Sequence, residues 1–194
     1  MIYPASYDIT VLQNSTWRGN FRATNERKDI DSIVVIASGA TFTSDYHGFA
    51  SGDKVVFTGS GELPGGMNVN SVYYVISSGL TASQFKVSAS SGGTEVSVSS
   101  AASGVFYAAT PLVLSGYGID SDIKGLTDDS SIGSFVCTIS NAANGEFTMS
   151  MAPSVSSGIE TGRYGYDVSL TTAGGDRYYW LTGVVTVERT YSRN

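Results

Sequence analysis

The chain contains one cysteine and one histidine among 194 residues. A single cysteine excludes an intramolecular disulfide, and a chain of this length needs none to hold a core. A single histidine, His47, rules out a multi-histidine metal site. Charged residues make up 14% of the chain and the net charge is −6. A general nucleic-acid binder would carry a basic face instead. Long apolar runs are missing too: Ile33-Val34-Val35-Ile36-Ala37 falls far short of the ~20 residues a membrane-spanning helix requires. Met1-Ile2-Tyr3-Pro4 offers neither a basic nor an apolar leader region. The expectation is synthesis in the cytosol, without membrane insertion. Helical periodicity is nearly absent, and only Ala152 to Ile159 suggests a loop or one helical turn.

What is present is strand and turn chemistry. Gly (23), Tyr (12) and Phe (8) are abundant alongside Ser, Val and Thr. Aromatic and β-branched residues suit half-buried strands, so the composition reads all-β. Short alternating runs follow one another: Tyr7–Leu12, Thr16–Thr24, the apolar Ile33–Ala37, Lys54–Thr58, Val72–Ile76, Phe85–Ser88, Val96 with Val98, and Val105–Tyr107. Beyond Pro111 come Leu112–Tyr117, Ile119–Lys124, Phe135–Ser140, Phe147–Met151, Tyr164–Leu170 and Tyr178–Val187. Asn144-Gly145 marks an antiparallel hairpin, and Thr171 to Asp176 marks a second.

The two ends share a character that the middle lacks. Residues 1–37 carry too few strands to bury a core alone. Together with 109–194 they supply enough for an immunoglobulin-like β-sandwich. Residues 38–108 then form an inserted small β-barrel or β-sandwich, because a surface loop tolerates insertion at little extra entropic cost.

Candidate chemistry is sparse. Cys137 alternates with Phe135 and Ile139, as a small core residue would, and the one histidine that might activate it lies in the other proposed domain. His47 with Asp45 and Asp53 has no recognised metal spacing; His47-Gly48-Phe49 reads as a turn entering a strand. Asp120, Asp122, Asp128 and Asp129 form the densest acidic patch, without the Asp-x-Asp-x-Asp-Gly calcium pattern. Glu62, Glu95, Glu146 and Glu160 show no catalytic pairing. Gly59 to Gly66 lacks the Lys-Ser/Thr and helix of a phosphate loop. Trp17, Trp180, Tyr178 and Tyr179 fit either a sugar-stacking platform or, more simply, core and interface. No catalytic, cofactor-binding or metal residue is assigned, and the chain is expected not to be an enzyme.

The order of the outer segments resembles a β-sandwich module of tailed-bacteriophage virion proteins. It runs from Tyr7-Asp8-Ile9-Thr10-Val11-Leu12-Gln13 and Trp17, through Leu114-Ser115-Gly116-Tyr117 and the Asn-Gly hairpin, to Gly162-Arg163-Tyr164-Gly165-Tyr166-Asp167-Val168 and Gly183-Val184-Val185-Thr186-Val187. That module is similar to the amino-terminal domain of baseplate upper and tail-fibre attachment proteins. The middle follows a pattern that recurs in phage tail-fibre proteins: His47-Gly48-Phe49, Gly52-Asp53, Leu63-Pro64, Tyr73-Tyr74-Val75-Ile76 and Phe85-Lys86-Val87-Ser88.

The resemblance implies a structural virion protein of tail, baseplate or fibre attachment, working by contacts with other virion proteins and copies of itself. The inserted domain would project outward. A capsid decoration protein and a carbohydrate-binding module are the alternatives, with host-surface glycan as a further partner.

Overall fold

The computed structural model describes residues 5–36 and 39–191. In chain order the strands are β1 (Ala5–Ser6), β2 (Ile9–Leu12), β3 (Trp17–Arg22), β4 (Lys28–Ile30), β5 (Ser32–Ile36), β6 (Gly39–Thr43), β7 (Lys54–Gly59), β8 (Val72–Ile76), β9 (Gln84–Ser88) and β10 (Phe106–Ala109). They continue with β11 (Gly118–Gly125), β12 (Ser131–Gly133), β13 (Val136–Asn141), β14 (Glu146–Met151), β15 (Gly162–Thr171) and β16 (Arg177–Glu188). One helical turn, α1 (Pro153–Ser156), starts on a proline, whose missing N–H costs nothing at a helix's first position. The protein is all-β, as its composition implies.

Two compact units divide the chain: residues 1–23 with 113–194, and residues 24–112. The expected boundaries, 37/38 and 108/109, therefore move outward along the insert. Ile33 to Ile36, expected in the outer piece, lie in β5 of the inner unit; Ala37, the last residue of that run, lies outside the described residues, as does the Met1–Pro4 segment. The physical reason is pairing. β5 runs antiparallel to β6, with Val34 opposite Thr41, and turns Ile33 and Val35 onto the inner core. The inner unit's two ends meet where Thr24 bridges Pro111 and the Asn25 N–H donates to the Thr110 carbonyl at 2.9 Å.

The inner unit is one sheet in the order β4-β10-β7-β8-β9-β6-β5. Its two terminal strands are consecutive in the chain, separated only by Asp31, whose N–H donates to the Thr43 carbonyl at 2.9 Å. One continuous segment, 28–36, thus pairs with β10 through its first half and β6 through its second, so the sheet returns on itself as a small barrel. Phe42 fills the centre, stacked on Phe57 at 4.6 Å and Phe85 at 5.3 Å between centroids. Val55, Val75, Val87 and Phe106 belong to the same core. The expected strand through Val96 and Val98 does not form. Val96 donates its N–H to Val87, and Val98 is buried as part of a loop.

The outer unit has two sheets. One runs β1-β16-β15-β11-β12, with β2 also on β16; the other is β13-β14-β3. β1 and β2 lie in succession along the same edge of β16, both parallel to it. The opening and closing segments of the chain are therefore hydrogen-bonded neighbours. Phe147 meets Trp180 edge-on at 5.6 Å and Phe135 meets Tyr166 at 5.8 Å, joining the two sheets through buried and half-buried rings. These pairings establish a two-sheet, all-β unit, not a specifically immunoglobulin-like one. The first hairpin forms between β13 and β14, but only Gly145 takes a positive φ (70°); Ala142–Asn144 is a short 3-10 turn.

Candidate contact surfaces

Each residue singled out for chemistry has a definite place. Cys137 sits half-buried on β13 with its Sγ 3.9 Å from the Phe135 carbonyl. Burial, and secondarily the charge of Asp120, pushes its thiol up to about 11. A thiol held neutral is a poor nucleophile. His47 is buried between Phe49 (5.0 Å) and Phe85 (5.1 Å), and its Nδ1 accepts the Phe49 N–H at 2.9 Å. That bond leaves the proton on Nε2, which has no hydrogen-bond partner among the described residues. Asp53 accepts the Ala50 N–H at 2.7 Å and closes the turn before β7, while the Asp45 N–H donates to Asp31 at 3.1 Å.

The inner segments from His47 to Ser88 resolve into folding roles. Gly48 and Gly52 take φ of 71° and 93°, which a side chain would strain. Leu63 is buried, and the Pro64 carbonyl accepts the Met67 N–H. The Tyr73 hydroxyl accepts the Asn68 N–H at 2.7 Å. In the glycine-rich stretch, Gly59 and Gly61 lie against the carbonyls of Val105 and Ser103, leaving no room for a Cβ. The Ser60 and Glu62 N–H groups donate to those same two carbonyls. The segment is a close crossing of two backbones, not a phosphate cradle.

The glutamates serve strand packing. Glu95 pairs with Lys86 at 3.0 Å and Glu146 with Arg22; the Glu160 carbonyl accepts the Tyr164 hydroxyl at 2.9 Å, and Glu62 bridges Ser103. The acidic patch splits in two. Asp128 accepts both the side-chain and backbone hydrogens of Ser130, which hold its carboxyl below the usual range. Asp129 lies 3.6 Å from Lys124. Asp120 and Asp122 belong instead to β11, where Asp122 stands directly opposite Asp167 of β15. Burial, then the charge of Asp122, raises the Asp167 carboxyl. The sequence reading missed Asp167 because only strand register brings it there. Among the described residues, no group of three or more His, Cys, Asp or Glu is arranged to hold a metal ion.

The four aromatics also part company. Trp17 packs on Phe135 at 5.1 Å and Trp180 on Phe147, so the two tryptophans belong to the outer unit's interior. Tyr178 and Tyr179 stay more than half exposed. A register shift on β16 lies behind this: Ser169 pairs with Tyr179 and Val168 with Leu181, leaving Trp180 as an extra residue turned inward. The outward face of the sheet consequently carries successive rows: Thr171 with Arg177, then Asp120, Ser169 and Tyr179, then Asp122, Asp167 and Thr182. The Arg177 Nε donates to the Ser169 Oγ at 2.8 Å, and its guanidinium lies 6.0 Å from the Tyr179 ring.

The outer unit also has open edges. Among the described residues β3 and β13 end their sheet, each pairing with β14. Beside β3 an open groove of about 330 Å³ is lined by Ser6, Tyr7, Gly19, Phe21 and Leu181.

No protein-family model matches the chain, and no curated protein matches it.

Proposed function

We propose that the protein is a non-enzymatic structural component of a bacteriophage virion, of the tail, baseplate or fibre-attachment region, acting through subunit–subunit contacts. The observation that carries this reading is the contrast between the two units. The inner sheet returns on itself, while among the described residues β3 and β13 form the two edges of their sheet. A free edge is a template for strand addition from a neighbouring chain. The resemblance of the segment order to phage β-sandwich modules supports the same reading, as does the inner pattern, whose residues serve turns and core. Copies arranged around a symmetry axis follow from repeated use of one edge.

Mass spectrometry and cryo-electron microscopy of purified particles test this. The protein is expected in the particle, at about six to a few dozen copies. Absence from particles overturns the proposal. Hundreds of copies per particle would move the protein to the capsid as a decoration protein.

A further inference from the structure

We propose that the outward face of β11, β15 and β16 is a saccharide-binding face, with Tyr179 as the stacking platform and Arg177, Asp122 and Asp167 as the polar anchors. The inference does not rest on a place in the virion. Strand register puts all four side chains on one side of one sheet: Asp122 opposite Asp167, Tyr179 opposite Ser169, and Arg177 opposite Thr171.

Three features point to a neutral, polyhydroxylated ligand. First, Tyr179 is 55% exposed on a strand, where the inward bulge at Trp180 leaves its side chain standing outward. A flat exposed ring offers an apolar surface for the C–H face of a sugar. Second, the Arg177 guanidinium is fixed over the sheet by its bond to Ser169, a side chain with no exposure. Ordering before binding reduces the entropy lost on binding, and the remaining N–H donors suit ligand oxygens. Third, two carboxyls face one another across the ladder, an arrangement that like charges disfavour. Sugar hydroxyls would donate into both carboxylates and relieve that repulsion.

A cation would relieve it too, but the surroundings oppose one. Lys124 and Arg177 both act on Asp167 as positive charges and already offset part of the acidic field. An acidic glycan would meet the carboxyl pair. Neutral and amino sugars therefore fit best.

The test uses the full chain on an array of neutral, amino and acidic saccharides, followed by calorimetry with the best-retained glycan. Binding to neutral or amino sugars is expected. Tyr179→Ala and Arg177→Ala should each weaken it at least tenfold with unchanged circular dichroism. Tyr46→Ala, which removes an exposed tyrosine of the inner unit, should leave it intact. No retention on the array overturns the proposal, as does binding indifferent to Tyr179→Ala. A calcium-induced rise in melting temperature that Asp167→Asn abolishes, without glycan binding, would replace it with a cation site. A dimer that dissociates on Tyr179→Ala, also without glycan binding, would replace it with a self-contact.

Discussion

The carbonyl of Tyr7 lies against the Cα of Gly183, so close that a Cβ there would overlap the carbonyl oxygen and crowd the Tyr166 ring. The same carbonyl accepts the Tyr166 hydroxyl. Near the start of the chain, Tyr7 thus borders β16 and is held from β15 as well, through the Tyr166 hydroxyl. On either side of this contact the ladder continues, with the Tyr7 N–H donating to Thr182 at 3.0 Å and the Val184 N–H to Asp8 Oδ1 at 2.9 Å. Gly183→Ala is expected to destabilise the outer unit by about 1–3 kcal/mol, the usual range for overpacking. Urea denaturation monitored by tryptophan fluorescence reads it, because Trp17 and Trp180 both lie in that unit. An unchanged midpoint would show that the edge strand yields freely.

Asp167 gives a pH prediction of definite sign. Its folded carboxyl is raised above the ordinary value by burial and by Asp122. A raised acid favours the folded state below its unfolded pKa and loses that contribution as pH rises through the folded value. At neutral pH, Asp167→Asn should therefore stabilise the protein, by a few tenths of a kcal/mol up to about 1 kcal/mol as for other cross-strand pairs. The gain should shrink as pH falls through the raised folded value and be gone below the ordinary carboxylate pKa of about 3.9. Melting temperatures of both proteins between pH 3 and 8 check this.

His47 supplies a core prediction. It contributes two ring contacts and the acceptor for the Phe49 N–H, all in a buried setting. His47→Ala opens a cavity and strands a backbone donor. The expected cost is about 3 kcal/mol, within the range for large-to-small core changes. Hydrogen exchange should show the loss at Phe42 and Phe85 of the inner barrel, and retained protection in the outer unit. An equal loss in both units would show that they unfold as one.

Cys137 should resist alkylation. With its thiol pushed up to about 11, chiefly by burial, iodoacetamide at pH 8 should modify the folded protein slowly and the urea-unfolded protein at the rate of a free thiol. The neutral thiol favours the folded state below its unfolded pKa, and this contribution is lost as pH climbs toward 11. Rapid labelling of the folded protein would place Cys137 on a mobile edge.

Much of this fold is legible in the sequence wherever alternation is local. Trp17 to Arg22, Val72 to Ile76 and Tyr164 to Leu170 announce strands because side-chain direction alternates with every residue. The single helical turn after Ala152 and the antiparallel hairpin at Gly145 are legible as well, through proline and glycine. The run Ile33 to Ile36 shows where legibility ends. Its apolar character declares a strand, but Val34 and Ile36 are substantially exposed and only Ile33 and Val35 face a core. Which core that is depends on pairing with β6, which no local pattern encodes. Val96 and Val98 alternate as well as many true strands do, yet they form none.

The sequence by itself determined that the protein is all-β, because aromatic and β-branched residues alternate with polar ones and helical periodicity is nearly absent. It also determined where glycine must stand, as at Gly48 and Gly52. Tertiary structure alone decided the rest. It closed the inner sheet through the segment around Asp31, turned Trp180 inward by a one-residue bulge, and set Asp122 against Asp167. These depend on register between strands far apart in the chain. A shift of one residue would send each of those side chains to the opposite face.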